Sequence, residues 1–311
     1  MQVSPEYSSS RASNILLFSV AIPTYRRPDD LLATVKSVLA NTRLPNELLI
    51  IDDESLSKAV IDEIVTLCVE RGVACAYYRK ADVGIRRGLS ESKNWAAELV
   101  EHNVLCFLDD DVVLEKNYFD ELLKEWKLNW SDEKLIGVGG RITNNRSTTG
   151  VERVFRKLFG LTGKHAWDVN DIGFQVWDES ITETQRAHYI HGGVSSFRHS
   201  YLLAESFATF AGGRTGLEDV EYCLRAKRRG HYCLYVPSAR LAHYPRQSEK
   251  ETAFVRGKKE SKNRRMIFLR HGQRTMYHRI WFAWANIGWI LKKCLNFRFR
   301  EAAGLLTGAL I

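Results

Sequence analysis

Through its first third the chain alternates short apolar runs with amphipathic stretches. Residues 15–23 form a largely apolar run closed by Pro23 and Thr24, and Leu31, Leu32, Val35, Val38 and Leu39 then recur at helical intervals over 29–40. The pairing repeats: an apolar strand ending in acid at 47–53, a helical pattern over 57–70, a strand at 73–79, a helix from Leu89 to Val100 and a strand from Val104 to Leu108. Near-continuous apolar strands alternating with helices predict a mostly parallel sheet covered on both faces. Ligands of such sheets bind beyond the carboxyl ends of the strands, and the acidic clusters of this region lie at those ends. Further on, Leu135 to Gly140 reads as a strand, whereas 141–190 has no sustained period and receives no assignment. Regularity returns at His191 to Phe197, at 216–225, where Glu218 and Asp219 open a helical stretch, and in a final strand from Tyr232 to Pro237.

The most informative acidic cluster is Asp109-Asp110-Asp111, set between Phe107-Leu108 and Val112-Val113-Leu114. Three like charges ending a buried strand repel one another and lose hydration unless a cation joins them. In an extended segment side chains alternate, so Asp109 and Asp111 point one way and Asp110 the other. Two oxygen ligands with positions left for water and phosphate suit Mg²⁺ or Mn²⁺. The alternative is a solvated acidic turn capping the next helix.

A composition of 45% hydrophobic and 26% charged residues over 311 positions excludes a disordered chain and allows a substantial core. The six cysteines (68, 75, 106, 223, 233 and 294) include no C-x-x-C pair, so they read as reduced core residues rather than a zinc site. Met1 to Asn14 is polar and lacks the apolar segment of a secretory signal, from which a cytosolic location is expected. The sequons at Asn129 and Asn145 then carry no glycan. The net charge of +8 is uneven: residues 251–311 hold thirteen Lys and Arg against three Glu, a balance of +10 that leaves the rest at −2. Basicity is a C-terminal property, and nucleic-acid binding by the main domain is not expected.

Four motifs in order, Ser19 to Arg27 (Ser-Val-Ala-Ile-Pro-Thr-Tyr-Arg-Arg), Ile50 to Ser55 (Ile-Ile-Asp-Asp-Glu-Ser), Phe107 to Asp111 and Gly216-Leu217-Glu218-Asp219, resemble those of the family 2 nucleotide-sugar glycosyltransferases over roughly residues 15–245. The resemblance implies a single α/β domain of the GT-A (Rossmann-like) fold and an inverting transfer from a nucleoside diphosphate sugar, dependent on Mn²⁺ or Mg²⁺. By the same resemblance Pro23 and Thr24 shape the first loop against the nucleotide. Asp53 accepts a hydrogen bond from the base, favouring a UDP- or dTDP-type donor; a helix cap is the alternative for it. Asp109 and Asp111 bridge to the diphosphate through the metal, while Asp110 faces the sugar or ribose. Arg86, Arg87 and Lys93 lie in the segment where basic groups approach the nucleotide, with no choice made among them. Asp219 is the expected general base, with Glu218 orienting it or holding the acceptor; acids at a helix N-terminus are the plain alternative. His243 resembles a histidine that completes the metal shell in some relatives, or is simply a satisfied histidine. Trp167 and Trp177 could stack on a sugar, although core packing is favoured for both.

From Arg264 on, cations interleave with large apolar residues, and the uncharged run from Ile280 to Leu291 is too short to span a bilayer, which takes about 20 apolar residues. The expectation is a tail lying in an anionic membrane interface with Trp281, Trp284 and Trp289 inserted. A helix packed on the catalytic domain or on a second protomer is the alternative, and a membrane hairpin with the Leu305 end a third. The expected organisation is a polar tail (1–14), a GT-A domain (15–250) and a basic amphipathic helical region (251–311). The expected function is transfer to a glycan or lipid-linked acceptor at the cytoplasmic face of the membrane, in cell-surface polysaccharide synthesis. Two competitors are a sugar-phosphate nucleotidylyltransferase, disfavoured because no Gly-rich phosphate loop follows the first strand, and a binding module that has lost catalysis.

Overall fold

A computed structural model describes residues 16–310 except 55, 146–147, 211–215 and 246–250. The expected polar tail (1–14), Ser55 of the second motif, and Arg146 and Ser147 of one sequon lie outside the described residues. The N-terminal half follows the expected alternation: β1 (Phe18–Thr24), α1 (Pro28–Leu39), β2 (Glu47–Asp52), α2 (Lys58–Glu70), β3 (Ala74–Arg79), α3 (Leu89–Leu99) and β4 (Val104–Leu108). These four strands are parallel, in the order β3-β2-β1-β4. Alternate side chains feed two cores: Val20 and Ile22 pack with Val35, Val38 and Trp126 on one face, and Ala21 with Ala96, Phe107 and Phe197 on the other.

The triplet Asp109–Asp111 is a turn, not an extended segment, and leads straight into β5 (Val112–Leu114). After α4 (Tyr118–Leu128) and β6 (Leu135–Ile142), the segment without a period supplies α5 (Gly150–Leu158) and the short strands β7 (Asp168–Val169), β8 (Gln175–Val176) and β9 (Gln185–Ala187). The chain then enters β10 (Val194–Arg198) against the parallel direction, pairing antiparallel with both β4 and β6. The second half of the sheet is therefore mixed, because no helical crossover leads directly into β10. After α6 (His199–Ala204) and α7 (Glu218–Arg228), β11 (Tyr232–His243) continues past Pro237, where a strand end was expected. A register irregularity between Val236 and Arg240 accommodates the proline, and the far end pairs antiparallel with β5, His243 opposite Val112.

The C-terminal region forms α8 (Ala253–His271), α9 (Met276–Leu295) and α10 (Phe299–Leu310), packed on the sheet domain and on one another. His271 Nε2 lies 2.7 Å from the Glu221 carboxylate of α7. Arg264, fully buried, pairs with Glu260 at 2.9 Å and sits between the rings of Phe174 and Trp289. A Cβ on Gly304 would lie 2.0 Å from the Phe254 carbonyl oxygen, so glycine is what lets α10 approach α8 so closely. This packing corrects the expected tail: Ile267 and Phe268 are core residues, and of the three tryptophans only Trp284 is exposed. Trp281 packs against Gly160, and the Trp289 indole donates to Glu260 at 2.7 Å. The helical period places both on the inward face with Ala285 and Gly288.

Candidate active site

Topology brings the acids together. The turn after β4 carries Asp109 and Asp111, and β11 delivers His243 beside them because it pairs with the strand that leaves the same turn. His243 Nε2 is 3.0 Å from Asp111 and 3.7 Å from Asp109. One ligand atom from each of the three lies within 4.8 Å of the others, two carboxylates and an imidazole, a donor set that suits Mn²⁺ and tolerates Mg²⁺. Arg27, one residue before α1, reaches the same cluster, with Nη1 2.6 Å from Asp111. Burial raises the Asp109 carboxyl to about 6, helped by Asp111 and Asp110 and opposed by His243 and Lys93. The His243 imidazole is itself held above its usual range: burial works against its charge, and the bond to Asp111 and the charge of Asp109 outweigh it.

Because the triplet turns instead of extending, strand alternation does not set the Asp110 side chain, which reaches the first loop and shares Arg27 with Asp111. It accepts from Thr24 Oγ1 at 2.8 Å and from the Tyr25 N–H at 3.4 Å, and meets Arg27 at 3.3 Å. Pro23 and Thr24 end β1 beside the second acidic motif, whose Asp53 N–H donates to the Thr24 carbonyl at 3.0 Å. The Asp53 carboxylate forms an ion pair with buried Lys80 and accepts from the Gly88 N–H (3.2 Å) and Ser92 (3.3 Å), fastening the start of α3.

The expected basic group divides. Arg86 and Arg87 are exposed and pair with Glu91 and Glu54, each at 2.6 Å. Lys93 is elsewhere: the inward face of α3 buries its ammonium 2.8 Å from Glu218, beside the rings of Phe107 and Phe207. A cation so deep in the core requires a partner. Burial works against its charge, yet Glu218, Asp219 and Asp109 together hold the ammonium above its usual range.

Glu218 and Asp219 open α7 after Gly216 and Leu217, both in the left-handed region, so the chain turns sharply into the helix. Asp219 accepts from the Tyr189 hydroxyl at 3.1 Å and from the Gly192 N–H at 3.3 Å. Burial, then the neighbouring Glu218 charge, pushes its carboxyl up to about 6, against the pull of Lys93. The two acidic centres meet across Gly192-Gly193. A Cβ on Gly193 would lie 2.2 Å from an Asp109 oxygen, and one on Gly192 would lie 2.9 Å from both the Asp219 Cβ and Lys93 Nζ. The Asp109 N–H donates to the Gly193 carbonyl at 2.6 Å. Next to this turn the His191 ring lies edge-on to Trp167 and Trp177, its Nε2 buried without a hydrogen-bond partner and its titration pushed down to about 4 by burial. Trp167 is a core residue stacked on Tyr235, while Trp177 is partly exposed with the Arg156 guanidinium 5.1 Å from its ring centre.

Residues 19–178, just over half of the chain, match the sequence profile described as Glycosyl transferase family 2. The chain belongs to glycosyl transferase family 2. A glucosyl-dolichyl phosphate glucuronosyltransferase of Haloferax volcanii is 25% identical over 241 residues, 72% of this chain and 68% of that protein. A hyaluronan synthase of Streptococcus pyogenes is 30% identical over 159 residues, 46% of this chain but 37% of the synthase, so the match spans little more than a third of that enzyme. Among solved structures, the mannosyltransferase PcManGT from Pyrobaculum calidifontis in complex with GDP-Man and Mn²⁺ aligns with a TM-score of 0.57 at 14% identity, over 94% of this chain and 79% of that one. GalNAc-T7 with UDP, GalNAc and Mn²⁺ gives 0.59 at 18% identity, over 83% and 48%. These likenesses show the GT-A fold. As a member of the family, the chain is a glycosyltransferase.

Several residues of this family member's site were not singled out from the sequence. Arg27, Tyr189, Gly192, Gly193 and Lys80 acquire their places only through contacts between distant segments. The nearest signal was the His191-Gly192-Gly193 run, visible as regular but without assigned chemistry.

Proposed function

We propose that the chain is a metal-dependent inverting glycosyltransferase that moves a sugar from a nucleoside diphosphate donor to a hydroxyl of a glycan or lipid-linked acceptor. The carrying observation is the pair of acidic centres, Asp109/Asp111/His243 and Asp219, on either side of Gly192-Gly193. Asp109, Asp111 and His243 would hold Mn²⁺ or Mg²⁺. The metal would supply positive charge for the diphosphate as it leaves. The bond from the acceptor oxygen to the anomeric carbon forms as the bond to the diphosphate breaks, and the electron pair departs with the diphosphate. An Asp219 oxygen takes the acceptor's proton, in the orientation set by Tyr189 and the Gly192 N–H. Lys93 pairs with Glu218, and its charge partly offsets the pressure that burial and Glu218 put on the Asp219 carboxylate.

Pro23, Thr24 and Asp110 would frame the nucleotide loop, and the exposed Arg86 and Arg87 would approach the diphosphate by exchanging their ion pairs with Glu91 and Glu54. Asp53 has acceptor capacity beyond its present partners for the imide N–H of uracil or thymine. Two fold neighbours hold nucleotides with Mn²⁺, which supports the donor class; one holds GDP-Man, so Asp53 is the feature that favours a pyrimidine here. The relative named for glucosyl-dolichyl phosphate, and the hyaluronan synthase, support a lipid-linked or polysaccharide acceptor. We place the work at the cytoplasmic face of the membrane, with 15–250 catalytic and 251–311 an extension docked on it. No described helix is long and apolar enough to cross a bilayer.

The test is donor hydrolysis over a panel of nucleotide sugars with Mn²⁺. At least one UDP- or dTDP-sugar should turn over, and Asp219→Asn should lower turnover by roughly 10²–10⁴ with donor affinity little changed. Near wild-type turnover by that variant would remove Asp219 from the role of base.

A further inference from the structure

We propose that the outer sides of α5 and α9 form one surface that seats the protein on an anionic bilayer. Helix α9 presents Met276, Ile280, Trp284, Ile287, Leu291 and Leu295 to solvent, one uncharged stripe at helical spacing along all 20 of its residues, or about 30 Å. Helix α5 does the same on a smaller scale: Val151 is 83% exposed and Val154 71%, with Leu158 one turn on, while Arg156 turns inward. The two stripes meet where the Trp284 indole donates to the Leu158 carbonyl at 2.9 Å, and the helices are tied again by Lys292 and Glu152 at 2.5 Å. An apolar side turned outward on each of two adjoining helices is the reverse of what a soluble surface selects.

Charge chooses the occupant. The exposed charged residues of α5, α9 and the α9–α10 junction are Arg153, Lys157, Arg279, Arg298 and Arg300, all cations; of the acids nearby, Glu152 pairs with Lys292, Glu301 with Lys293 and Arg298, and half-buried Asp178 lies near Arg153. Cations rimming an apolar stripe complement anionic headgroups over an acyl layer. A second copy would bring the same cations face to face. The inward side of α5 leads toward the site: Arg156 lies over Trp177, Trp177 beside His191 and Tyr189, and Tyr189 on Asp219. This run of contacts links α5, whose outer side would meet the bilayer, to Asp219, where a lipid-linked acceptor has to be presented. This inference deepens the membrane-facing part of the proposed function and rests on it.

The test is co-sedimentation of the full chain with phosphatidylcholine vesicles, with and without phosphatidylglycerol. Binding should require phosphatidylglycerol. The double variants Val154→Glu/Leu158→Glu and Ile287→Glu/Leu291→Glu should each weaken it about tenfold or more, since charge replaces apolar area at the acyl boundary. Leu269→Glu, on α8, should leave it unchanged. Should a double variant fail to melt like the parent, quenching of the wild-type protein by brominated phosphatidylglycerol, reduced by Trp284→Phe, supplies the same answer. Undiminished binding by both double variants, quenching unaffected by Trp284→Phe, or a dimer in solution that these substitutions dissolve without any lipid binding would overturn the proposal. Donor hydrolysis in solution is read separately: vesicle binding without hydrolysis would sink the transferase reading and leave the docking face standing, and hydrolysis without binding would do the reverse.

Discussion

Asp219 gathers the features of a base that works near neutrality: burial, a second acid beside it, and a hydroxyl and an amide N–H that fix its orientation. Its carboxyl, pushed up to about 6, must be ionised to take a proton, so turnover at saturating metal and donor should rise with pH through about 6 and then level. The Glu218 charge raises that carboxyl and the Lys93 charge lowers it. Replacing Glu218 with Gln removes the first influence and frees the second, so the acidic limb should move to lower pH. A limb that stays in place in a pH profile of kcat would assign it to another group. The Asp53 carboxylate is engaged by Lys80, the Gly88 N–H and Ser92, tertiary contacts that neither the base-reading nor the helix-cap expectation foresaw.

Among elements, α3 and α7 are joined at the site by Lys93 and Glu218. Removing one member of a buried pair leaves the other uncompensated, so Lys93→Met should destabilise by about 3–5 kcal/mol, and adding Glu218→Gln should restore part of that, read as denaturant midpoints. A loss no larger than for an exposed lysine would show that the pair is hydrated. The first strands and their helices were legible because β1, β2 and β4 are apolar enough to be buried on both faces, with the edge strand β3 only partly covered, and the acids stood out at their ends. Helix α5 was not legible: Val151, Val154 and Leu158 face outward while Arg156 faces inward with Phe155, which inverts most of the usual pattern. The strands β7, β8 and β9, two or three residues each, are too short to show a period. His243 was proposed by resemblance; its position follows from β11 running past Pro237, which local sequence rules read as a stop.

At the scale of the whole molecule, the mixed sheet sets an acidic turn, a glycine turn and the start of α7 side by side, and three C-terminal helices close over α5 and α7. The basic C-terminal region is thus core on one side only, since one side of α9 packs inward and the other stays bare. The central claim is that Asp109, Asp111 and His243 bind a nucleoside diphosphate through a divalent metal, and calorimetry tests it most directly. UDP and dTDP titrated into the full chain should bind at least about tenfold more tightly with Mn²⁺ than with chelator, and Asp111→Ala should abolish that difference. Equal affinity with and without metal, or a metal dependence that survives Asp111→Ala, would contradict the account.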